Sequence, residues 1–249
     1  MNVDTTRTVK DIVTDFPSAA RVFEEKGIDY CCGGQKTLQN ACKEAQLPLN
    51  EVVQSIESAE AMAHTASPLA DWKEASISQL IQHIVEKHHA YCRQEQERLG
   101  ALLAKVVQVH GAHHPELARI QSLFNKMHAE LAMHLAKEER TLFPMILEME
   151  NAANAKKPLP RLPFGTIQNP VSMMILEHDE AGAQLKEMRR LGKEYKPPED
   201  ACNSYRSLYE GLKLFEQDMH QHIYLENYVL FPRTVALEKQ FDNLHPETA

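Results

Sequence analysis

From residue 76 onward, apolar positions recur at three- and four-residue spacing in four long stretches, roughly 76–108, 115–150, 169–193 and 199–238. That period is the mark of an amphipathic helix burying one face. In the first stretch Ile81, Ile84 and Val85 mark part of the apolar face. The stretches are separated by "HGAHHP" near 110–115, by "NAANAKKPLPRLPFGTIQNP" at 151–170 and by "GKEYKPPED" at 192–200. The first and third breaks are short, as between antiparallel neighbours, whereas the second is long and holds Pro158, Pro160, Pro163 and Pro170. Four such helices predict an antiparallel four-helix bundle over residues 76–240. The first 60 residues follow a shorter rhythm, with three or four short helices. Thr8 is placed to cap the first, Pro17 stands near the start of the second, and Gly27 is placed to end it. Residues 61–75, with Pro68 and little periodicity, read as a linker. No stretch alternates as a strand would, so the fold class is all-α.

Composition narrows the function classes. With 27 Lys and Arg against 35 Asp and Glu, the net charge is −8, which argues against a phosphate-neutralising surface and hence against nucleic acid as a partner. No apolar run approaches the roughly 20 residues of a membrane span, and the first residues lack the apolar core of a secretory signal. The expectation is a cytoplasmic protein, monomeric or dimeric. Five scattered cysteines make a poor disulfide framework, and no CxxC pair offers a zinc ribbon. Histidine, at 13, is the abundant chemistry.

The histidines are ordered. "HLAKEERTLFP" begins at His134 and "HIYLENYVLFP" at His222. Each reads H-x-x-x-E followed by Leu-Phe-Pro, so His134 with Glu138, and His222 with Glu226, share a helix face one turn apart. A lone pair of this kind is usually a surface pair; two copies with matching tails are not so readily explained. Buried carboxylates require compensation, and a pair of metal ions supplies it. Upstream, "HIVEKHHAYCR" offers His83, His88 and His89, and "LEHDEAG" offers Glu177, His178, Asp179 and Glu180. His89 precedes His134 by 45 residues and His178 precedes His222 by 44, so the chain reads as two helical hairpins, each carrying H and then HxxxE. Four His and two Glu suit a dinuclear iron or manganese site with bridging carboxylates and open positions. The spacing does not choose between His88 and His89, which as neighbours are not both expected to point inward. Pro144 and Pro232 read as interrupting their helices, with Leu-Phe packing the bundle end.

These motifs, together with "DYCCGG" from Asp29 to Gly34, resemble the RIC family, the proteins for repair of iron centres. The resemblance runs through nearly the whole chain and implies a hemerythrin-like bundle behind a small Cys-Cys-Gly-Gly module. It places the first ligand at His89, in the run from His83 to Arg93, and carries over His134, Glu138, His178, His222 and Glu226, with the two Glu bridging two iron ions in an oxo- or hydroxo-bridged centre. His110 corresponds to a further family histidine, an outer partner or alternative ligand. The implied function is repair of iron–sulfur clusters damaged by oxidative and nitrosative stress, by iron donation. Damaged iron–sulfur proteins or cluster scaffolds are then the partners, and nitric oxide or O₂ the small ligands. The alternative on the same site is a nitric oxide reductase or an NO/O₂ sensor. Glu130 and Glu177 read either as acidic stations on an iron exit path or as ordinary helix surface.

Cys31 and Cys32 are the remaining candidates, for redox chemistry or iron transfer. Vicinal cysteines bridge only with strain. Gly33 and Gly34 are expected to let the backbone turn and expose the thiols, and a helix opening there would lower a thiol pKa. Cys42, Cys92 and Cys202 sit in helical patterns and read as packing.

Overall fold

A computed structural model describes residues 3–63, 72 and 74–244, with the side chains of 62, 63 and 241–244 left out. The expected linker at 61–75 therefore falls mostly outside the described residues. The chain is 75% helical, with eight helices and no strand among the described residues. Four are short: α1 (Val9–Asp15), α2 (Ala19–Lys26), α3 (Leu38–Glu44) and α4 (Leu49–Ala63). Four are long: α5 over 77–110, α6 over 116–154, α7 (Gln168–Leu191) and α8 over 203–244. The chain divides into two compact units, Met1–Ser76 with His220–Pro232, and Ile77–Met219 with Arg233–Ala249. The second boundary was not legible in the sequence, because it cuts within α8.

In the first unit the caps follow from the residues. The Thr8 side chain accepts from the Asp11 backbone N–H and that of Thr37 from Asn40, each satisfying a donor that the helix leaves open. Gly27 ends α2 at φ 67°, in the left-handed region. Val9, Ile12, Phe23, Leu38, Val52 and Ile56 form the core. The 220–232 segment completes this unit through polar and aromatic contacts. Tyr224 OH lies 2.6 Å from Thr14 Oγ1, which itself donates to the Lys10 carbonyl. His220 Nδ1 lies 3.0 Å from Glu24 Oε1, and the Tyr30 and Tyr224 rings are 5.7 Å apart.

In the second unit α6 packs against both α5 and α7, and the start of α5 meets the end of α6, as antiparallel helices require. Leu80, Leu99, Leu103, Ile120, Phe124, Leu185, Leu212 and Phe215 are buried between them, with Phe124 and Phe215 tilted at 6.1 Å. Glu150 accepts from the Ile77 and Ser78 backbone N–H groups and closes the start of α5. Glu238 does the same for the long loop before α7, accepting from Thr166 Oγ1 and Ile167 N.

Three of the long helices widen into a single π-helical stretch: Ile84–His89 in α5, Glu138–Leu142 in α6 and Leu225–Leu230 in α8. Pro144 and Pro232 do not interrupt their helices as the sequence suggests; each follows its π turn, and the helix continues to Asn154 and Leu244. The Phe143 N–H reaches back to the Glu138 carbonyl and the Phe231 N–H to the Glu226 carbonyl, bonds of i→i−5 type. That wider ladder accommodates the missing proline N–H and its ring, which would clash in an α-helix.

Candidate metal centre

The π turn of α5 holds both histidines between which the spacing left the choice open. Both His88 and His89 are buried, against the expectation that only one of them could be. A π turn rotates successive residues by less than an α turn, so two neighbours can both face the interior. His88 Nδ1 faces Asp218 Oδ1 at 3.0 Å. His89 presents Nε2 to Glu138 Oε2 at 3.5 Å.

Glu138 is fully buried among the imidazoles of this unit. His134 Nε2 lies 3.4 Å from Glu138 Oε2, and His178 Nε2 lies 3.0 Å from His134 Nε2. His134, Glu138 and His178 each bring a ligand atom within 4.8 Å of the others. The outer nitrogens fix the ring orientations. His89 Nδ1–H donates to Glu139 Oε1 at 2.7 Å, and Arg93 grips the same oxygen at 2.6 Å. His134 Nδ1–H donates to Glu177 Oε2 at 2.8 Å, and Lys137 holds the other oxygen of Glu177. With Nδ1 donating to a carboxylate, the Nε2 lone pairs of His89 and His134 are aimed inward, the tautomer that ligation through Nε2 needs.

The outer carboxylates are charged. Burial works against ionisation of Glu139, but hydrogen bonds from Arg93 and His89 outweigh it and hold the carboxyl below its usual range. Glu177 is held down in the same way, by Lys137 and His134 against burial. Glu139, Arg93 and Lys137 were not singled out by the sequence. Glu177 serves as the anchor of His134 rather than as bare helix surface, while Glu130 accepts from Gln184 Nε2 at 2.6 Å.

The second H-x-x-x-E copy also sets its imidazole against its carboxylate. His222 Nε2 lies 3.0 Å from Glu226 Oε1, and both side chains are buried. As in α6, the Glu stands in a π turn and the His on the α-helical turn before it. Buried carboxylates facing imidazole lone pairs make a donor set that a cation completes, and the site fits a metal.

The Cys-Cys-Gly-Gly turn departs from expectation. Cys31 is buried and Cys32 half-buried; neither is in a disulfide, and their sulfurs are 3.5 Å apart. The turn does not open a helix, since α3 starts later behind its own cap, Thr37. Burial, with Cys32 and Asp29 alongside, pushes the Cys31 thiol well up rather than down. Asp29 organises the turn: its Oδ1 accepts from the backbone N–H of Cys31 at 3.1 Å and of Cys32 at 2.9 Å. Although burial opposes it, these bonds and that of the Gly33 N–H keep the Asp29 carboxyl below its usual range. Asp29, Cys31 and Cys32 bring donor atoms within 4.8 Å of one another. Gly34 is required here, because a Cβ would stand 2.4 Å from the Tyr30 carbonyl oxygen.

His110 and Cys202 are also placed differently from the sequence reading. His110 bonds Cys202, at 3.2 Å, and Cys202 is exposed rather than packed. No helix among the described residues is long and apolar enough to cross a membrane.

Comparison with known proteins agrees with this geometry. Residues 5–60 match the model of a domain of unknown function, DUF542, and residues 80–234 match the hemerythrin HHE cation binding domain. A probable iron-sulfur cluster repair protein of Haemophilus influenzae is 34% identical over 227 residues, covering 91% of this chain and 96% of its own length. The iron-sulfur cluster repair protein YtfE of Pectobacterium atrosepticum is 34% identical over 235 residues, covering 93% and 98%. ScdA of Staphylococcus epidermidis, named likewise, is 30% identical over 229 residues, covering 90% and 96%. With its N-terminal cysteine module, its buried His and Glu and this end-to-end likeness, the chain belongs to the hemerythrin-type RIC family of iron-sulfur cluster repair proteins.

Proposed function

We propose that this protein repairs iron–sulfur clusters by holding two iron ions and donating iron. The residues that would hold them are His89, His134, His178, His222, Glu138 and Glu226. The observation that carries this reading is the shell around Glu138: three imidazoles converge on a fully buried carboxylate, and two of them are turned inward by ionised glutamates. The matching His222–Glu226 pair, and relatives that are named repair proteins, support it.

A bound metal pair would supply positive charge to the two buried carboxylates and keep positions open for small ligands. The chain's own residues orient and hold. Glu139 and Glu177 hold His89 and His134 with Nε2 turned inward, and Arg93 and Lys137 keep those glutamates charged. In the N-terminal module Cys32, half-buried beside the ionised Asp29, is the thiol suited to receive iron, while Cys31 stays protonated beneath it.

Anaerobic purification with metal quantification tests the ligand set. The expected result is about two iron per chain, falling to one or none in Glu138→Ala and Glu226→Ala. Restoration of a damaged [4Fe–4S] protein by the loaded protein, and not by the Glu138→Ala variant, tests the function. Full iron loading in both glutamate variants would refute the site.

A further inference from the structure

A second cluster of reactive side chains lies away from the metal ligands, at the junction of the α5 end and the α8 start, within the second unit. His110 is the last residue of α5, and Cys202 immediately precedes α8. His110 Nε2 is 3.2 Å from Cys202 Sγ, which places a base within hydrogen-bond reach of a nucleophile. The Tyr205 ring stands 5.3 Å from His110 and 5.5 Å from His114. His114 is engaged elsewhere, with Asp200 at 3.0 Å and Glu116 at 3.3 Å, so it does not compete for the sulfur.

Two features favour the thiolate at this position. The backbone N–H of Tyr205, the side chain of His110 and the backbone N–H of Ser204 all point at the sulfur, and together they lower the thiol from its ordinary value to about 7. Cys202 is also open to solvent. A thiol ionising near ambient pH is the best attacking group in thiol–disulfide exchange, since it combines thiolate fraction with nucleophilicity. The other cysteine of this unit, Cys92, is buried, and burial pushes its thiol up to about 12. Among the described residues of this unit no other cysteine is exposed, so a small molecule from solution is the partner to test. The cluster is not built as a cation site, because its donors are absent from the groups that converge within 4.8 Å among the described residues.

We propose that Cys202, with His110 as its proton acceptor, is a site of reversible mixed-disulfide formation with a small-molecule disulfide. His110 Nε2 takes the thiol proton, and the Cys202 thiolate attacks one sulfur of the disulfide. The S–S bond of the small molecule breaks as the Cys202–S–S–R bond forms. The departing sulfur leaves as a thiolate and receives the proton from His110. Cys202 is oxidised, one half of the small disulfide is reduced, and a later thiol reverses the exchange by the same path.

The test uses the full-length, metal-loaded protein under anaerobic conditions with hydroxyethyl disulfide, a neutral probe. Acid quenching and peptide mass mapping then follow each cysteine separately. Cys202 is expected to be labelled at least about tenfold faster than the buried Cys42 and Cys92. His110→Gln should slow labelling of Cys202 about threefold to tenfold at pH 7. His114→Gln should leave the rate within about twofold, because His114 does not bond the sulfur. Cys202→Ser should abolish this label without changing metal content. Labelling of Cys202 no faster than that of Cys92 in the unaltered protein would overturn the proposal without any variant. An unchanged rate in His110→Gln, with helicity and metal content intact, would overturn the role of His110.

Discussion

At the scale of single residues, the proposed centre rests on charges outside its proposed ligand set. His89 and His134 are oriented by Glu139 and Glu177, each restrained by a cation from its other side. Replacing Glu139 by Gln keeps the size but removes the charge that fixes His89 Nδ1–H. The expected outcome is a loss of roughly 10- to 100-fold in metal affinity by chelator competition, with little change in helicity. Unchanged affinity would mean that His89 is held by packing alone, for example by its stacking on Phe143 at 5.7 Å. A second residue-scale prediction concerns His114. The Asp200 hydrogen bond, helped by Glu116 and opposed by burial, raises the His114 pKa above its ordinary value. A raised histidine pKa stabilises the folded state fully below the unfolded pKa, near 6.5, and that contribution disappears as pH rises through the folded value. Solvent screens this exposed pair, so the effect on stability is small. The direct readout is the imidazole titration by NMR, whose midpoint should fall in Asp200→Asn.

At the scale of elements, the three π turns are the unusual feature, and each carries or adjoins a proposed ligand: His89, Glu138 and Glu226. A π turn forgoes regular α hydrogen bonding and persists where a functional constraint holds it. Proline after the turn is one such constraint, because it cannot donate to the α ladder. Pro144→Ala should therefore leave the far-UV circular dichroism of α6 nearly unchanged while letting the segment relax toward α geometry and rotating Glu138. Metal affinity is expected to fall several-fold, less than on removal of the Glu139 charge. If affinity is unaffected, the Leu-Phe-Pro phrase is packing only. At this scale the helices depart from what their sequence period implies. Uniform α geometry would make His88 and His89 exclusive and each proline a stop, and the π turns remove both constraints.

At the scale of the whole molecule, the N-terminal module is not completed by its own sequence. Residues 220–232 belong to the same compact unit, and they supply partners for Thr14, Glu24, Lys10 and Tyr30. Tyr30 is almost wholly buried, and its ring meets both His220 and Tyr224. A fragment of residues 1–63 should then unfold broadly and with little cooperativity, whereas the full chain shows a sharp transition for the same helices. Calorimetry with a probe on the module distinguishes the cases; a cooperative transition in the fragment would show that the four short helices suffice. Metal removal acts on the full chain too. A ligand present at about 1,000 times its Kd adds about 4 kcal/mol to folding stability, so a chelator should lower Tm by several degrees.

The chain by itself determined its helical class, its four long helices and its HxxxE pairs. These are local properties: a 3.6-residue period and an i, i+4 spacing put side chains on one face wherever the helix packs. The caps at Thr8 and Gly27 were legible for the same reason. What only the tertiary structure decided involves partners distant in sequence. Glu139 finds His89 and Arg93 on another helix, Glu177 finds His134, and Asp218 finds His88. Burial reversed the expected acidity of Cys31, and the meeting of two helix ends turned Cys202 from a packing residue into the thiol beside His110. Periodicity specifies which face is buried; which groups share that burial, and with what charge, follows from the packing of helices that the sequence pattern does not pair.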